Sequence, residues 1–299
     1  MQYDVVIIGG SFAGLSAAMQ LVRARRTVLV IDANTPRNRF SSHSHGVFGL
    51  DGERPQQIRT RALQQLFAYP TFTLMEGFVE KVIPEALGFS VKTTKENVTS
   101  RRMVLAMGVK DNLPSIEGLA QYWGKNVVHC PYCHGYELSE TNLGVLATSD
   151  MSFHQAAMLP DWGATTLFTQ HKFKPDRELE RVLKLRGVKI EDAEIVKVLG
   201  NQQQLEHVAL SDGRTLSLGG LYIIPQIQVL NPIVSDLSLT LTSSPLGQIV
   251  EVDPLKESAI KGVFVAGDMS NPMQNGTLAA ASGTLAGIGV HRSLIFNNH

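Results

Sequence analysis

The hexapeptide Gly9-Gly10-Ser11-Phe12-Ala13-Gly14 follows a short apolar, β-branched run at residues 4–8 and precedes an Ala/Leu-rich stretch that reaches about Arg25. That succession predicts a strand, a tight turn and a helix. Residues 27–31 form a second strand-like run ending at Asp32, about eighteen residues past Gly14, which is the spacing of a dinucleotide-binding βαβ unit. In such a unit Gly9 permits the turn, the amides at the helix start face a pyrophosphate, and Gly14 lets the helix pack on the strand. The terminal acid then takes a ribose hydroxyl. Ser11 stands where the pattern has its middle glycine, and it is small enough to leave room for the phosphates.

At 299 residues, with 43% apolar and 18% charged, the chain has the composition of a globular protein of about two domains. Lys+Arg and Asp+Glu are both 27, so no net field favours nucleic acid or an anionic membrane, and neither is expected as a partner. No apolar run approaches the roughly 18 residues of a membrane span, and Met1-Gln2-Tyr3-Asp4 lacks the basic flank of a signal peptide. A cytoplasmic location is the expectation.

Cys130 and Cys133 are the only cysteines, which excludes a disulfide framework and marks them as a working pair. With His129 and His134 beside them they could make half a metal site, but zinc normally takes four ligands and no second Cys pair exists, so no metal is expected.

Further along, residues 72–98 read as short alternating strands punctuated by Gly77 and Gly88, and 103–106 as a strand closing on Met107-Gly108. Pro114, Ile116 and Gly118 mark a linker. Strand-like 143–147, helix-like 153–159 and strand-like 165–169 make a second βαβ pattern. The 221–225 strand leads to a return linker at Asn231-Pro232. Residues 262–266 form a strand ending in Gly267-Asp268, and 277–290, rich in Ala and Gly, a closely packed helix.

Three motifs therefore stand in order: the N-terminal Gly-rich turn, Cys130-Pro131-Tyr132-Cys133-His134-Gly135, and Gly267-Asp268 before an Ala-rich helix. In this the chain resembles, nearly end to end, the low-molecular-weight thioredoxin reductase family of flavoproteins. The resemblance implies an α/β fold of two three-layer, Rossmann-like nucleotide domains. The FAD domain would be discontinuous, 1–115 and 233–299, and a second nucleotide-fold domain, 116–232, would carry the Cys pair. It implies FAD held by Gly9, Ser11, Ala13, Gly14, Asp32, Gly108 and Asp268, with Gln274 and Asn275 where the family commonly has Arg-Gln at the flavin edge. It also implies a homodimer through the FAD domains. Cys133 would face the flavin as a charge-transfer thiolate and Cys130 would exchange with the disulfide substrate, thioredoxin or another. Amides at the helix start lower the thiol pKa. His134 replaces the Asp that serves as general acid/base in Cys-x-x-Cys-Asp-Gly members, and an imidazole can do that work near neutrality. The alternative is a histidine merely hydrogen-bonded at a helix start. Members with Cys-x-x-Cys-His-Gly resemble dithiol oxidases that close disulfides in small natural products.

The second βαβ turn should carry Gly-x-Gly-x-x-Ala/Gly for NADPH, yet it reads Ala147-Thr148-Ser149-Asp150-Met151-Ser152. Neither glycine is present, and Asp150 adds charge where phosphate should sit. The His-Arg-Arg clamp for the 2′-phosphate falls on Thr169-Gln170-His171, without the guanidinium fork. The expectation is a domain that keeps the fold and has lost the nicotinamide nucleotide; a degenerate site with weak binding is the alternative. The leading function is then an FAD-dependent thiol/disulfide oxidoreductase that reduces thioredoxin or a similar disulfide from a ferredoxin-type donor. The alternatives are an oxygen-dependent oxidase of a small dithiol, an NADPH-dependent thioredoxin reductase, and a flavin redox sensor without turnover. A ferredoxin is acidic and calls for a basic face, for which Arg23, Arg25, Arg26, Arg37, Arg39, Arg59, Arg61, Arg101 and Arg102 in the N-terminal third are the candidates; a solvated Arg-rich surface is the bland alternative.

Overall fold

A computed structural model describes residues 2–229 and 231–296. The chain is α/β and folds into two compact units, each built on a mainly or wholly parallel sheet. The first takes the described residues of 1–37, 55–110 and 227–299, the second those of 38–54 and 111–226.

In the first unit the strands Phe72–Glu76, Val28–Asp32, Gln2–Ile8 and Asn97–Leu105 lie side by side in parallel, and Val263–Val265 pairs with Asn97–Leu105. An antiparallel meander, Val79–Glu85 and Gly88–Thr93, extends the far edge. Both faces of the central strands are covered: Val5, Ile7, Val28 and Val30 pack among the helices Phe12–Arg23 and Gly276–Phe296, and Val6, Ile8, Leu29 and Ile31 pack into a second core. Burial on both sides explains why these strands are unbroken apolar runs with no polar alternation.

The helices Phe12–Arg23 and Gly276–Phe296 meet through small residues. A Cβ on Gly283 would overlap the Ala13 carbonyl oxygen, and one on Gly287 would sit 2.8 Å from that of Ala17. The Ala/Gly-rich stretch is thus a helix longer than 277–290 and of the closeness its composition predicts. The side chain of Asn275 accepts from the Leu278 amide at 2.7 Å, capping that helix.

The second unit holds a five-stranded parallel sheet in the order Lys189–Glu191, Ala164–Phe168, Asn142–Leu146, Gly220–Ile223, Val127–Val128. A three-stranded antiparallel sheet, Ile195–Gly200, Leu205–Leu210 and Thr215–Ser217, accompanies it. Asn126 ties the two together, donating to the carbonyls of Leu205 and Gly219 and accepting from the Leu205 amide. The unit boundaries differ from those read off the sequence. Residues 38–54, placed by sequence in the first domain, pack in the second unit, because Phe40 abuts Gly124 and His45 stands 3.4 Å from Glu137.

Gly283→Ala is expected to lower stability by about 1–3 kcal/mol or more, the usual cost of forcing a methyl group into a filled interface. Urea unfolding of the cofactor-loaded protein followed by circular dichroism checks this, and an unchanged midpoint would show that the two helices can separate at little cost.

Candidate active site

The first turn is built by backbone crowding. Gly9 has φ +107°, and a Cβ there would overlap the Ala106 carbonyl; a Cβ on Gly14 would overlap the Gly9 carbonyl. The next helix starts at Phe12 with no side-chain cap from Ser11 and no acidic residue in its first turn. Its leading amides therefore keep their affinity for an anion. Ala13 is small because Gly267 approaches it: a Cβ on Gly267 would lie 2.9 Å from that of Ala13.

Around this turn the structure adds two arginines that sequence reading missed as site residues. Asp32 accepts from the Gly10 amide at 3.0 Å and pairs with Arg59 at 2.6 Å, while Arg59 Nε donates to the Gly10 carbonyl at 3.0 Å. Arg37 pairs with Asp268 at 2.9 Å and donates to Gln274 Oε1 at 2.5 Å. Gln274 is buried, and its Nε2 has no protein partner. Gly108, at φ +72°, has open space where a side chain would stand. An anion-ready helix start, a carboxylate at the strand end and an orphaned buried amide suit a dinucleotide cofactor. Gly9, Gly14 and Ala13 meet at the turn, Asp32 bonds to Gly10 beside it, Ser11 precedes the helix, and Asp268 and Gln274 share Arg37, while a Cβ on Gly108 would meet nothing within 4 Å and the Asn275 side chain is committed to the helix cap.

The second turn is built differently. Ser152, fully buried, accepts from the amides of Thr148 at 3.1 Å and Ser149 at 3.4 Å. A serine hydroxyl thus serves as the acceptor for the amides of this turn. Asp150 precedes the helix Met151–Met158 and complements its positive end. At the edge where a 2′-phosphate clamp would stand, Thr169 donates to Asp192 at 2.6 Å and Gln170 Oε1 accepts from the Ile195 amide at 3.2 Å.

Cys130 stands at the N-cap of the short helix Pro131–His134, and Cys133 is one turn on. Their sulfurs are 2.8 Å apart, with the Cys133 thiol donating. That donor, helped by the amides of Cys133 and Tyr132, outweighs burial and brings the Cys130 thiol down to about 7. The same contact, with burial and the negative charges of Cys130 and Glu137, pushes Cys133 well up. In the reduced pair the charge rests on Cys130 and the proton on Cys133.

His134 lies beside the pair with both ring nitrogens buried. Burial holds its imidazole below the ordinary range; a hydrogen bond to the Cys130 backbone and the charge of Glu137 oppose that shift, and His45 adds to it. Tyr222, on the Gly220–Ile223 strand, is also buried with its hydroxyl unpartnered, and burial and the charges of Cys130, Glu137 and Cys133 push its phenol up. Among the described residues no group of three or more His, Cys, Asp or Glu is placed to hold a metal, and no helix is long and apolar enough to cross a membrane.

The family model for pyridine nucleotide-disulphide oxidoreductases matches residues 3–283. The thioredoxin reductase tcpT of Claviceps purpurea is 29% identical, over 95% of this chain and 92% of its own. The thioredoxin reductase aclD of Aspergillus oryzae is 29% identical, over 99% and 97%. The crystal structure of an oxidoreductase from Agrobacterium tumefaciens superposes with a TM-score of 0.94 at 43% identity, over 99% of each chain.

In the reduced protein, iodoacetamide should alkylate Cys130 at a rate that rises with pH about a midpoint of about 7, since the thiolate is the reactive form. Cys133→Ala removes the donor and should move the midpoint up toward the ordinary thiol value of about 8.5. Mass spectrometry of the alkylated peptide across a pH series measures both, and a midpoint indifferent to Cys133→Ala would refute the shared proton.

Proposed function

The chain belongs to the pyridine nucleotide-disulphide oxidoreductase family and is an oxidoreductase of thioredoxin reductase type; from that premise we propose that it binds FAD and exchanges electrons between the flavin and Cys130–Cys133 without a nicotinamide nucleotide. The carrying observation is the contrast between the two turns, one with helix amides open to a pyrophosphate, the other with its amides held by Ser152. In the proposed site Gly9, Ser11 and Gly14 bring backbone to the pyrophosphate and Asp32 meets a ribose. Asp268, steadied by Arg37, meets the ribityl chain, and Gln274 Nε2 turns to the flavin edge.

Bound FAD would supply the two-electron acceptor for the Cys dithiol and pass the pair on to dioxygen, giving hydrogen peroxide. His134, held neutral by burial, takes the proton of an incoming substrate thiol. The substrate thiolate attacks Cys130 Sγ and breaks the Cys130–Cys133 bond. A second substrate thiolate then attacks the substrate sulfur of the mixed disulfide and releases Cys130, whose charge the Cys133 thiol stabilises. The substrate leaves as a disulfide.

The donor is thus read as a substrate dithiol of small size. Support comes from five arginines of the N-terminal third that work inside their own unit: Arg23 donates to Tyr69, Arg59 pairs with Asp32, Arg101 with Asp4, Arg37 with Asp268, and Arg102 donates to Ser293. That engagement reduces the basic face an acidic ferredoxin would need. Reduction of thioredoxin from such a donor is the second reading, favoured by the names of the fungal relatives. We place the reaction in the cytoplasm, where cysteine pairs cycle as catalytic rather than structural disulfides. We also propose a homodimer through the first unit, supported by the exposed apolar residues Leu278, Leu285, Ile288 and Ile295 along the last helix.

Mixed anaerobically, a small dithiol should bleach the flavin band while millimolar NADPH leaves it nearly unchanged, and admission of air should release one peroxide for each substrate disulfide formed. Full bleaching by NADPH within a second of stopped-flow mixing would replace this reading with an ordinary NADPH-dependent reductase. In oxidised-flavin protein, Cys130→Ser should free Cys133 from its proton-donor role and show a long-wavelength charge-transfer shoulder that Cys133→Ser lacks. Identical spectra for the two variants would refute the division of labour between the sulfurs.

A further inference from the structure

Val128 is the last residue of its strand in register with the sheet, opposite Tyr222, and Cys130 follows at the start of the helix Pro131–His134. Between the two the chain leaves the sheet, so the ladder no longer sets its course. Pro131 supplies part of what replaces it. A residue ahead of proline is confined to extended backbone, and Cys130 sits there at φ −107°, ψ 118°. The rotation of the peptide between His129 and Cys130 is left open by the proline, and a single helical turn is too short to hold itself.

That peptide is held from another element of the same unit. Gln155 Nε2 donates to the His129 carbonyl at 2.7 Å. Gln155 lies on the helix Met151–Met158, three residues past Ser152, and both side chains are buried. Ser152 bonds to the second turn, whereas Gln155 bonds to the chain ahead of the Cys pair. The neighbouring Phe153 and Ala156 pack in the apolar core that also takes Val128 and Tyr222. Gln155 stands beside that core with its Oε1 buried and unmatched by any donor. An unmet buried acceptor is destabilising, and a methionine of similar length would avoid it. What the carboxamide has over methionine is its donor end, and that end is on His129.

We propose that Gln155 is a positioning residue for the reactive sulfur: by holding the His129 carbonyl it fixes the peptide ahead of Cys130, and with it the approach of Cys130 Sγ to within 2.8 Å of Cys133 Sγ. The helix after the second turn thereby takes part in the thiol chemistry. Through the sulfur contact Gln155 also reaches the acidity of Cys130, because the Cys133 thiol is the main donor that stabilises its thiolate. The titratable groups about Cys130 are Cys133 and His134 on its own segment and Tyr222 from the sheet, with Glu137 beyond them. Gln155 is neutral, so exchange for another neutral side chain alters no charge in this set.

The role of Gln155 rests on Cys130 being the acidic, exchanging thiol, as read above, and one experiment separates the two. Flavin-loaded protein is reduced with dithiothreitol, freed of it anaerobically and alkylated with iodoacetamide across a pH series, with Cys130 followed by mass spectrometry. Gln155→Met keeps the length of the side chain and removes the donor. Its midpoint should rise by about half a unit or more, the scale of one weakened hydrogen bond. Below both midpoints Cys130 of the variant should then react about threefold or more slowly than wild type, and above both midpoints the two rates should converge. Ser152→Ala, which loosens the same helix without touching His129, should leave the midpoint where it is. An unmoved midpoint in Gln155→Met overturns the proposal, as does slowing by the same factor at every pH, which marks lost access and not lost acidity. An equal shift in Ser152→Ala overturns it too, since the effect then belongs to the helix as a whole. Should Gln155→Met fail to fold, judged by flavin content and melting, Gln155→Leu carries the same test with the same outcomes. A wild-type midpoint already at the ordinary thiol value of about 8.5 overturns the acidic Cys130 and the role of Gln155 together; a wild type near 7 with an unmoved variant overturns the role of Gln155 alone.

Discussion

A methyl group on Gly14 would overlap the carbonyl oxygen of Gly9, and that crowding of bare backbone on bare backbone sets the geometry of the first unit. Because the helix from Phe12 can sit so close to the strand ending at Ile8, its leading amides are held beside Gly10, and Gly10 in turn beside the carboxylate of Asp32. From the other side the last helix closes on Ala13 through Gly283, and Gly267 on the same alanine, which brings Asp268 to the turn. A chain that begins with a turn of this kind has little conformational choice around it: the strands beside the turn must be parallel, both their faces must be covered, and the covering helix must be poor in side chains where it crosses.

The second unit repeats the architecture without that constraint. Its turn has side chains at both glycine positions, so the backbone cannot be laid bare, and Ser152 from the first turn of the helix bonds back to the amides left over. The result is a self-satisfied βαβ junction. A buried amide needs an acceptor whether or not a ligand is present, and a hydroxyl built into the protein fulfils that need permanently. The internal acceptor is visible at Thr148, Ser149 and Ser152 together.

Legibility from sequence tracked the range of the interactions. The first turn, its strand and Asp32 lie within one short segment, as do Cys130 to Gly135, and local spacing carried enough chemistry to read both. Arg37 and Arg59 were not read as site residues, because their roles depend on Asp268 and Gln274, more than 200 positions away, and on the register between Asp32 and the helix Pro55–Phe67. His45 lay outside every motif: nothing in Ser-His-Ser-His-Gly announces that the loop packs against the turn after Cys133 rather than within its neighbouring strands. The domain boundary at 38–54 was missed for the same reason. Asn275, adjacent to Gln274 in sequence, parts from it in space, one side chain capping a helix and the other buried beside Arg37.

Burial of His134 has two consequences for the proton it handles. Removing its ring from water lowers its affinity for a proton, which keeps it neutral and ready to accept one near pH 7. The same burial makes the protonated ring costly, so a proton taken up there is readily given back. Glu137 offsets part of that cost through its charge, whereas a second cation on His45 would add to it. Cys133 meets the complementary situation, its proton retained because Cys130 bears the charge beside it. One proton is held firmly by a sulfur and one is held loosely by an imidazole, and the difference lies in the surroundings of each group.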